Sequence, residues 1–204
     1  MGPEREWMSF MSDWAGSSSF TAMALAWRVR WTGILLIGVF ASPAGARVYQ
    51  TQQEALRSAF PVPAQVERKT LFLDEAQAGA VEKEAGSRLP GRIFPYYLGR
   101  VDGTLLGYAY FDTHLVRTLP ETIMVLLAPD GKIRRIEILS FSEPEDYFPR
   151  EAWLGQFSGK GLDPNLGLRR GIRNLTGASL TAEAITQACR RILALHRRVA
   201  GTGK

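Results

Sequence analysis

Two short turns most constrain how this chain folds. Val101-Asp102-Gly103 and Pro129-Asp130-Gly131 each stand between apolar runs of strand length. Glycine takes the positive φ of a tight hairpin without steric cost, and aspartate tolerates it. Residues 92–99 are therefore expected to fold back on residues 104–112, and residues 122–127 on a strand holding Ile133, Ile136, Ile138 and Leu139. That makes four consecutive antiparallel strands. A long helix over about residues 181–199 comes next, with Ile185, Ala188, Cys189, Ile192, Leu195 and Val199 at helical spacing on its apolar side. Ser179 or Thr181 is expected to cap it, and Glu183 near its start and Arg197 and Arg198 near its end complement the helix dipole. Helices over residues 52–59, 75–84 and 149–157 and a strand over 69–73 complete the pattern. Strands come in a run and then give way to helix. This order points to an α+β fold, an antiparallel sheet of consecutive hairpins packed with a long C-terminal helix and short flanking helices.

The chain has 204 residues, 46% of them hydrophobic, enough for one core and too few for two full-sized domains. Residues 47–204 are read as a single domain. Residues 1–46 read as an N-terminal extension and signal peptide. Arg28 and Arg30 precede an apolar run from Trp31 to Ala41, and the small residues Ala44 and Ala46 follow it. An apolar stretch of about 11 residues between a basic start and small residues is the secretory pattern, with cleavage expected after Ala46. A spanning helix takes about 20 apolar residues. The alternative is an uncleaved signal anchor with Arg28 and Arg30 on the cytoplasmic side. Residues 1–22 are polar and serine-rich and fall outside this pattern, which fits translation starting at Met23. The folded part is expected on the periplasmic or extracytoplasmic face of the membrane.

The formal charge is +5, and it belongs to the folded part, because Arg5, Arg28 and Arg30 balance Glu4, Glu6 and Asp13 in the first 46 residues. Much of the excess sits late, in Arg169, Arg170, Arg173, Arg190, Arg191, Arg197 and Arg198, which suits a phosphate, an anionic membrane surface or an acidic partner. Arg190, Arg191, Arg197 and Arg198 are read as a solvated helix face. Nucleic acid is disfavoured, since no binding motif accompanies the charge and export removes the protein from the cytoplasm. The single cysteine, Cys189, rules out an intramolecular disulfide or a multi-cysteine metal cluster and reads as a buried small hydrophobe. His114 and His196 are too few for a zinc site, so no metal is expected, and both are read as structural or surface residues.

Ahead of the last helix stands Leu175-Thr176-Gly177-Ala178-Ser179-Leu180-Thr181. A helix N-terminus presents unpaired N–H groups and the positive end of the helix dipole, so a phosphate brought here is stabilised without a metal. Thr176, Ser179 and Thr181 offer hydroxyls to hydrogen-bond or esterify it, and Gly177 and Ala178 allow close backbone approach. Such a string is also what a plain helix cap looks like. Ser158-Gly159-Lys160-Gly161 is not a nucleotide-hydrolysing loop, because its glycine spacing departs from GxxxxGK followed by Ser or Thr.

In order along the chain stand Asp130-Gly131-Lys132-Ile133, the loop at Ser142-Glu143, then residues 153–160 (Trp-Leu-Gly-Gln-Phe-Ser-Gly-Lys), then Thr176-Gly177-Ala178-Ser179. Over about residues 92–197 this combination resembles the FMN-binding domain family, which includes periplasmic flavin subunits of Rnf complexes and of the sodium-pumping NADH:quinone reductase, and the flavin domain of nitrous-oxide-reductase regulators. The resemblance implies FMN as cofactor, joined by a flavin transferase through its phosphate to the last hydroxyl of a Ser/Thr-Gly-Ala-Thr/Ser motif. Here that residue is Ser179. Thr176, Gly177, Ala178 and Thr181 would surround the phosphate. The ring would lie against the sheet and the loops from Glu143 to Lys160, with Trp153 or Phe157 packing on it. Lys160, Arg169 and Arg170 are then candidate partners of phosphate or ring. Trp153 and Phe157 fit a core-facing stripe equally. Two features depart from the family: serine replaces the commoner threonine at the acceptor, and Arg173 stands six positions before it, where the family tends to carry aspartate. Arg173 leaves open a phosphate held without a covalent bond.

The function this implies is an exported flavoprotein relaying electrons between a membrane-bound partner and an extracytoplasmic acceptor, with no substrate of its own. A cofactor-free binding or regulatory module of the same fold is the alternative. A hydrolase using Ser179 is disfavoured, because the chain lacks a GxSxG elbow there and only His114 or His196 could serve as base.

Overall fold

A computed structural model describes residues 47–201, which belong to one compact unit. The expected signal segment, the cleavage after Ala46 and the start at Met23 lie outside the described residues. The elements run β1 (Arg47–Val48), α1 (Gln52–Ala59), β2 (Gln65–Phe72), α2 (Glu75–Ala85), β3 (Ile93–Val101), β4 (Thr104–Leu115), β5 (Pro120–Leu127), β6 (Ile133–Phe141), α3 (Glu151–Leu154) and α4 (Ser179–Gly201). The strands form one antiparallel sheet in the order β1-β6-β5-β4-β3-β2. The fold is α+β, with consecutive hairpins at its centre. Asp102 and Gly103 take φ of 49° and 78°, and Gly131 takes 79°, the left-handed geometry that the two turn sequences favour.

The sheet is wider than the four hairpin strands. β2 pairs with β3 along its whole length, from Gln65 opposite Arg100 to Phe72 opposite Ile93. Only its last residues read as strand in the sequence, because an edge strand need not bury either face. Glu67, Arg68 and Lys69 are exposed there, and such charges keep an open edge from pairing with other chains. The expected helix over 149–157 is split into α3 and a 3₁₀ turn at Gly155–Phe157, as glycine in a helix interior favours.

The core lies on both faces of the sheet. On β5, Ile123, Val125 and Leu127 point one way, packing with Ile185, Ala188, Cys189 and Ile192 of α4. Met124 and Leu126 point the other way, onto Ala55, Ala59 and Phe60. A central strand with both faces covered reads as a continuous apolar run, which is what residues 123–127 are. Each of these large side chains contributes roughly 1.5–3 kcal/mol relative to exposure. Cys189 is fully buried, and burial pushes its thiol well above the usual range.

Of the late arginines only Arg197 is exposed as a solvated face would be; Arg190, Arg191 and Arg198 are half-buried and paired within the fold. Arg190 donates to Ala85 O (2.8 Å), Glu84 O (3.3 Å), Asp163 O (3.1 Å) and Leu166 O (2.9 Å). It thereby closes the C-terminus of α2 and pins residues 163–166 to α4. Arg197 donates to Leu162 O at 2.6 Å, and both Arg197 and Arg198 pair with Glu84. Arg190→Ala is expected to cost about 2–3 kcal/mol, since several carbonyls lose a charged donor at once. Arg190→Lys should recover only part of this, because an ammonium cannot span the same fork. Chemical denaturation of the two variants measures both effects.

Candidate functional site

The motif Thr176-Gly177-Ala178-Ser179 forms the turn that starts α4. Ala178 N–H donates to Leu175 O at 3.0 Å, and Gly177 sits at φ 83°, a conformation that favours glycine. Ala182 N–H donates to Ala178 O at 3.0 Å, so Ala178 holds the N-cap position. The expected cap by Ser179 or Thr181 is therefore corrected: Ser179 is already the first helical residue, and Thr181 is buried two residues on. An alanine methyl accepts nothing. Among the described residues, the amides of Ser179, Leu180 and Thr181 have no acceptor in the protein, which leaves three donors and the dipole for an anion.

Ser179, Leu180 and Thr181 line a cavity of about 210 Å³. Residues 177–181 form one wall. Val116 and Arg117, from the turn between β4 and β5, and Glu143 and Tyr147, from the segment after β6, form the other. The Arg117 guanidinium carbon lies 4.9 Å from the centroid of the Tyr147 ring, a cation–π contact that holds a positive charge beside the helix start. The Glu143 carboxylate accepts from Arg117 N–H at 3.3 Å. It puts a negative charge on the same wall, opposing an anion where Arg117 favours one. Arg117 and Tyr147 carry no motif in the sequence. Only the sheet order, which puts the ends of β4 and β6 beside the start of α4, reveals them.

The remaining candidates are dispersed. Thr176 is exposed and does not line the cavity. Trp153 is a core residue: it packs edge-on against Phe157 at 5.3 Å, and its Nε1 donates to Arg173 O at 2.8 Å. It supports the chain leading to the motif and does not line the cavity. Lys160 is at the opposite end of the sheet from this cavity. Its carbonyl accepts from Ile133 N–H at the start of β6, whereas Glu143 follows the end of β6, roughly 26 Å away along the strand. Arg170 borders a separate cavity of about 630 Å³ with Arg190 and Arg197. Arg169, at φ 62°, belongs to the same loop. Arg173 is turned to Gln156, whose Oε1 accepts from its N–H at 2.9 Å and its Nε at 3.3 Å.

Two residues inward along β4 from Val116, on the same face, lies a buried charged cluster. His114 Nδ1 is 2.9 Å from Asp112 Oδ1, and its Nε2 is 3.1 Å from Glu121 Oε2. Arg191 reaches from α4 to Asp112 at 2.9 Å. Neutral imidazole has one N–H, so two carboxylate contacts require an additional proton within the cluster. Burial opposes the His114 charge, but the hydrogen bonds that its ring donates to Asp112 and Glu121 outweigh this and raise its pKa above the usual imidazole range. Burial raises Glu121 as well. For Asp112, burial is more than offset by His114 and Arg191, and its carboxyl is lowered. His196 is also buried. Its Nδ1 lies 2.9 Å from the Tyr110 hydroxyl, and burial lowers its pKa to about 4. Both histidines are thus held by partners within the fold, and neither bonds to Ser179.

No family model, curated protein or solved structure matches the chain.

Proposed function

We propose that this protein is an exported FMN carrier, with the cofactor joined through its phosphate to Ser179, relaying electrons between a membrane-bound partner and an extracytoplasmic acceptor. The observation that carries the reading is the uncapped start of α4. Among the described residues, Ser179, Leu180 and Thr181 have amides without acceptors, and all three line a cavity that Arg117 lines too. A phosphodiester on Ser179 supplies the anion this end of the helix lacks. The cavity is smaller than the roughly 300–1,000 Å³ that buries a whole cofactor-sized ligand, so these residues take the phosphate end of FMN. Arg117 offsets the phosphodiester charge, Tyr147 holds Arg117 in place, and Gly177 leaves room at the turn. When bound, FMN supplies exchange of one or two electrons, and the protein contributes its position and access.

The test is the intact mass and visible spectrum of the protein exported from cells that co-express a flavin transferase. A gain of one FMN less water, with flavin absorbance retained after denaturation, is the expected result. Absorbance lost on denaturation makes the cofactor non-covalent. A colourless apo mass overturns the proposal and favours the cofactor-free module.

A further inference from the structure

The Ser179 hydroxyl is held by one neighbour. Asn174 Nδ2 donates to Ser179 Oγ at 2.9 Å, and the Asn174 Oδ1 accepts from Leu175 N–H at 3.0 Å. The second bond settles which end of the amide faces the serine. The turn between them is closed by the bond from Ala178 N–H to Leu175 O. Ser179 Oγ therefore receives a hydrogen bond from within the protein while its own proton stays available outward. Arg173, at the position where the family tends to carry aspartate, does not reach this hydroxyl, because Gln156 holds it.

From this arrangement we infer that Asn174 is the positioning residue for phosphodiester formation at Ser179, an inference that rests on the FMN reading above. In that step Ser179 Oγ attacks the flavin-side phosphorus of flavin adenine dinucleotide, presented by the transferase. The Oγ–P bond forms, the bridging P–O bond breaks, AMP leaves, and the serine proton passes to the transferase. No atom changes oxidation state. A donor aimed at Oγ fixes the serine rotamer and stabilises the negative charge that develops as the proton departs. Its loss acts on the bond-forming step more than on docking of the carrier protein, so the maximal rate falls while the half-saturating carrier concentration holds.

The experiment is the initial rate of mass gain with purified transferase and flavin adenine dinucleotide, for the wild type, Asn174→Ala and Asn174→Asp, with the Tm of each. Asn174→Ala is expected to load about tenfold more slowly, with the loss in maximal rate. Asn174→Asp keeps the shape and the acceptor for Leu175 N–H but removes the donor, and is expected to load as slowly as the alanine variant at an unchanged Tm. Wild-type loading in either variant, or a rate loss matched by unfolding, overturns the inference while leaving the FMN reading intact. A wild type that gains no mass overturns both.

Discussion

Ser179→Ala is expected to give a protein that folds normally and carries no covalent flavin under conditions where the wild type is fully loaded. Ser179 is exposed, and among the described residues its side chain has one hydrogen bond, accepted from Asn174. Alanine is the best helix former, and the lost bond is solvent-accessible, so stability should change by less than about 1 kcal/mol. Chemistry, by contrast, is lost outright, because neither of the other two hydroxyls of the motif is equivalent. Thr181 is 1% exposed and cannot meet a large donor. Thr176 stands outside the cavity. Ser179→Thr keeps a hydroxyl at the same helix position and should load. Intact mass of the three proteins beside their denatured spectra decides the matter. Flavin that remains bound to Ser179→Ala after denaturation would move the acceptor elsewhere, with Thr176 the first residue to replace.

The second large effect is expected at His114. Replacing it with alanine leaves the side chain of Glu121, 0% exposed, without its one hydrogen-bond partner among the described residues. A carboxylate buried alone costs about 3–5 kcal/mol, and Glu121 will take up a proton instead, so the cost should shrink as pH falls from 7 towards 5. Glu121→Gln in the same background removes the need for that proton and should recover much of the loss at pH 7. In the wild type the sign follows from the same proton. The His114 folded-state pKa is raised, so its contribution is fully present below the unfolded value of about 6.5 and is lost as pH rises through the raised one. The raised Glu121 acts in the same direction. The lowered Asp112 acts oppositely: its contribution is present above about 3.9 and is lost as pH falls through its folded value. Wild-type stability should therefore peak at mildly acidic pH. Urea unfolding at pH 5, 7 and 8.5 tests this, and a His114→Ala cost that is flat across that range, with no recovery by Glu121→Gln, would discard the shared-proton account.

Much of the architecture was legible because it is encoded locally. The Asp-Gly turns dictate their own backbone geometry, and the stripe from Ile185 to Val199 needs only a face to cover. The apolar run 123–127 can be nothing but a buried segment. Helix α1 falls at the expected bounds, since Thr51 and Glu54 form a capping box and Pro61 and Pro63 follow. The hydroxyl motif before α4 was also legible, as a turn and as a phosphate-binding candidate. β2 was only partly so, because a strand stabilised by backbone pairing at an edge leaves no period in its side chains.

What the chain alone determined, then, was the sequence of elements and the presence of a small hydroxyl-rich turn at a helix start. Which residues meet at that turn was decided by the sheet order. Arg117 lies 62 residues from Ser179 and Glu143 lies 36 away, and they reach it only because β4 and β6 end where α4 begins. Lys160, closer in sequence, is carried to the far end by β6. The helix cap was likewise decided in three dimensions: burying Ala178 and Thr181 against the core shifted the helix start to Ser179 and left its first amides open. The same holds for His114, whose two carboxylates come from its own strand and from the strand paired to it. Local propensity depends on neighbours in sequence, whereas charge pairing, burial and cavity lining depend on which strand ends share one edge of the core. Only tertiary packing sets that.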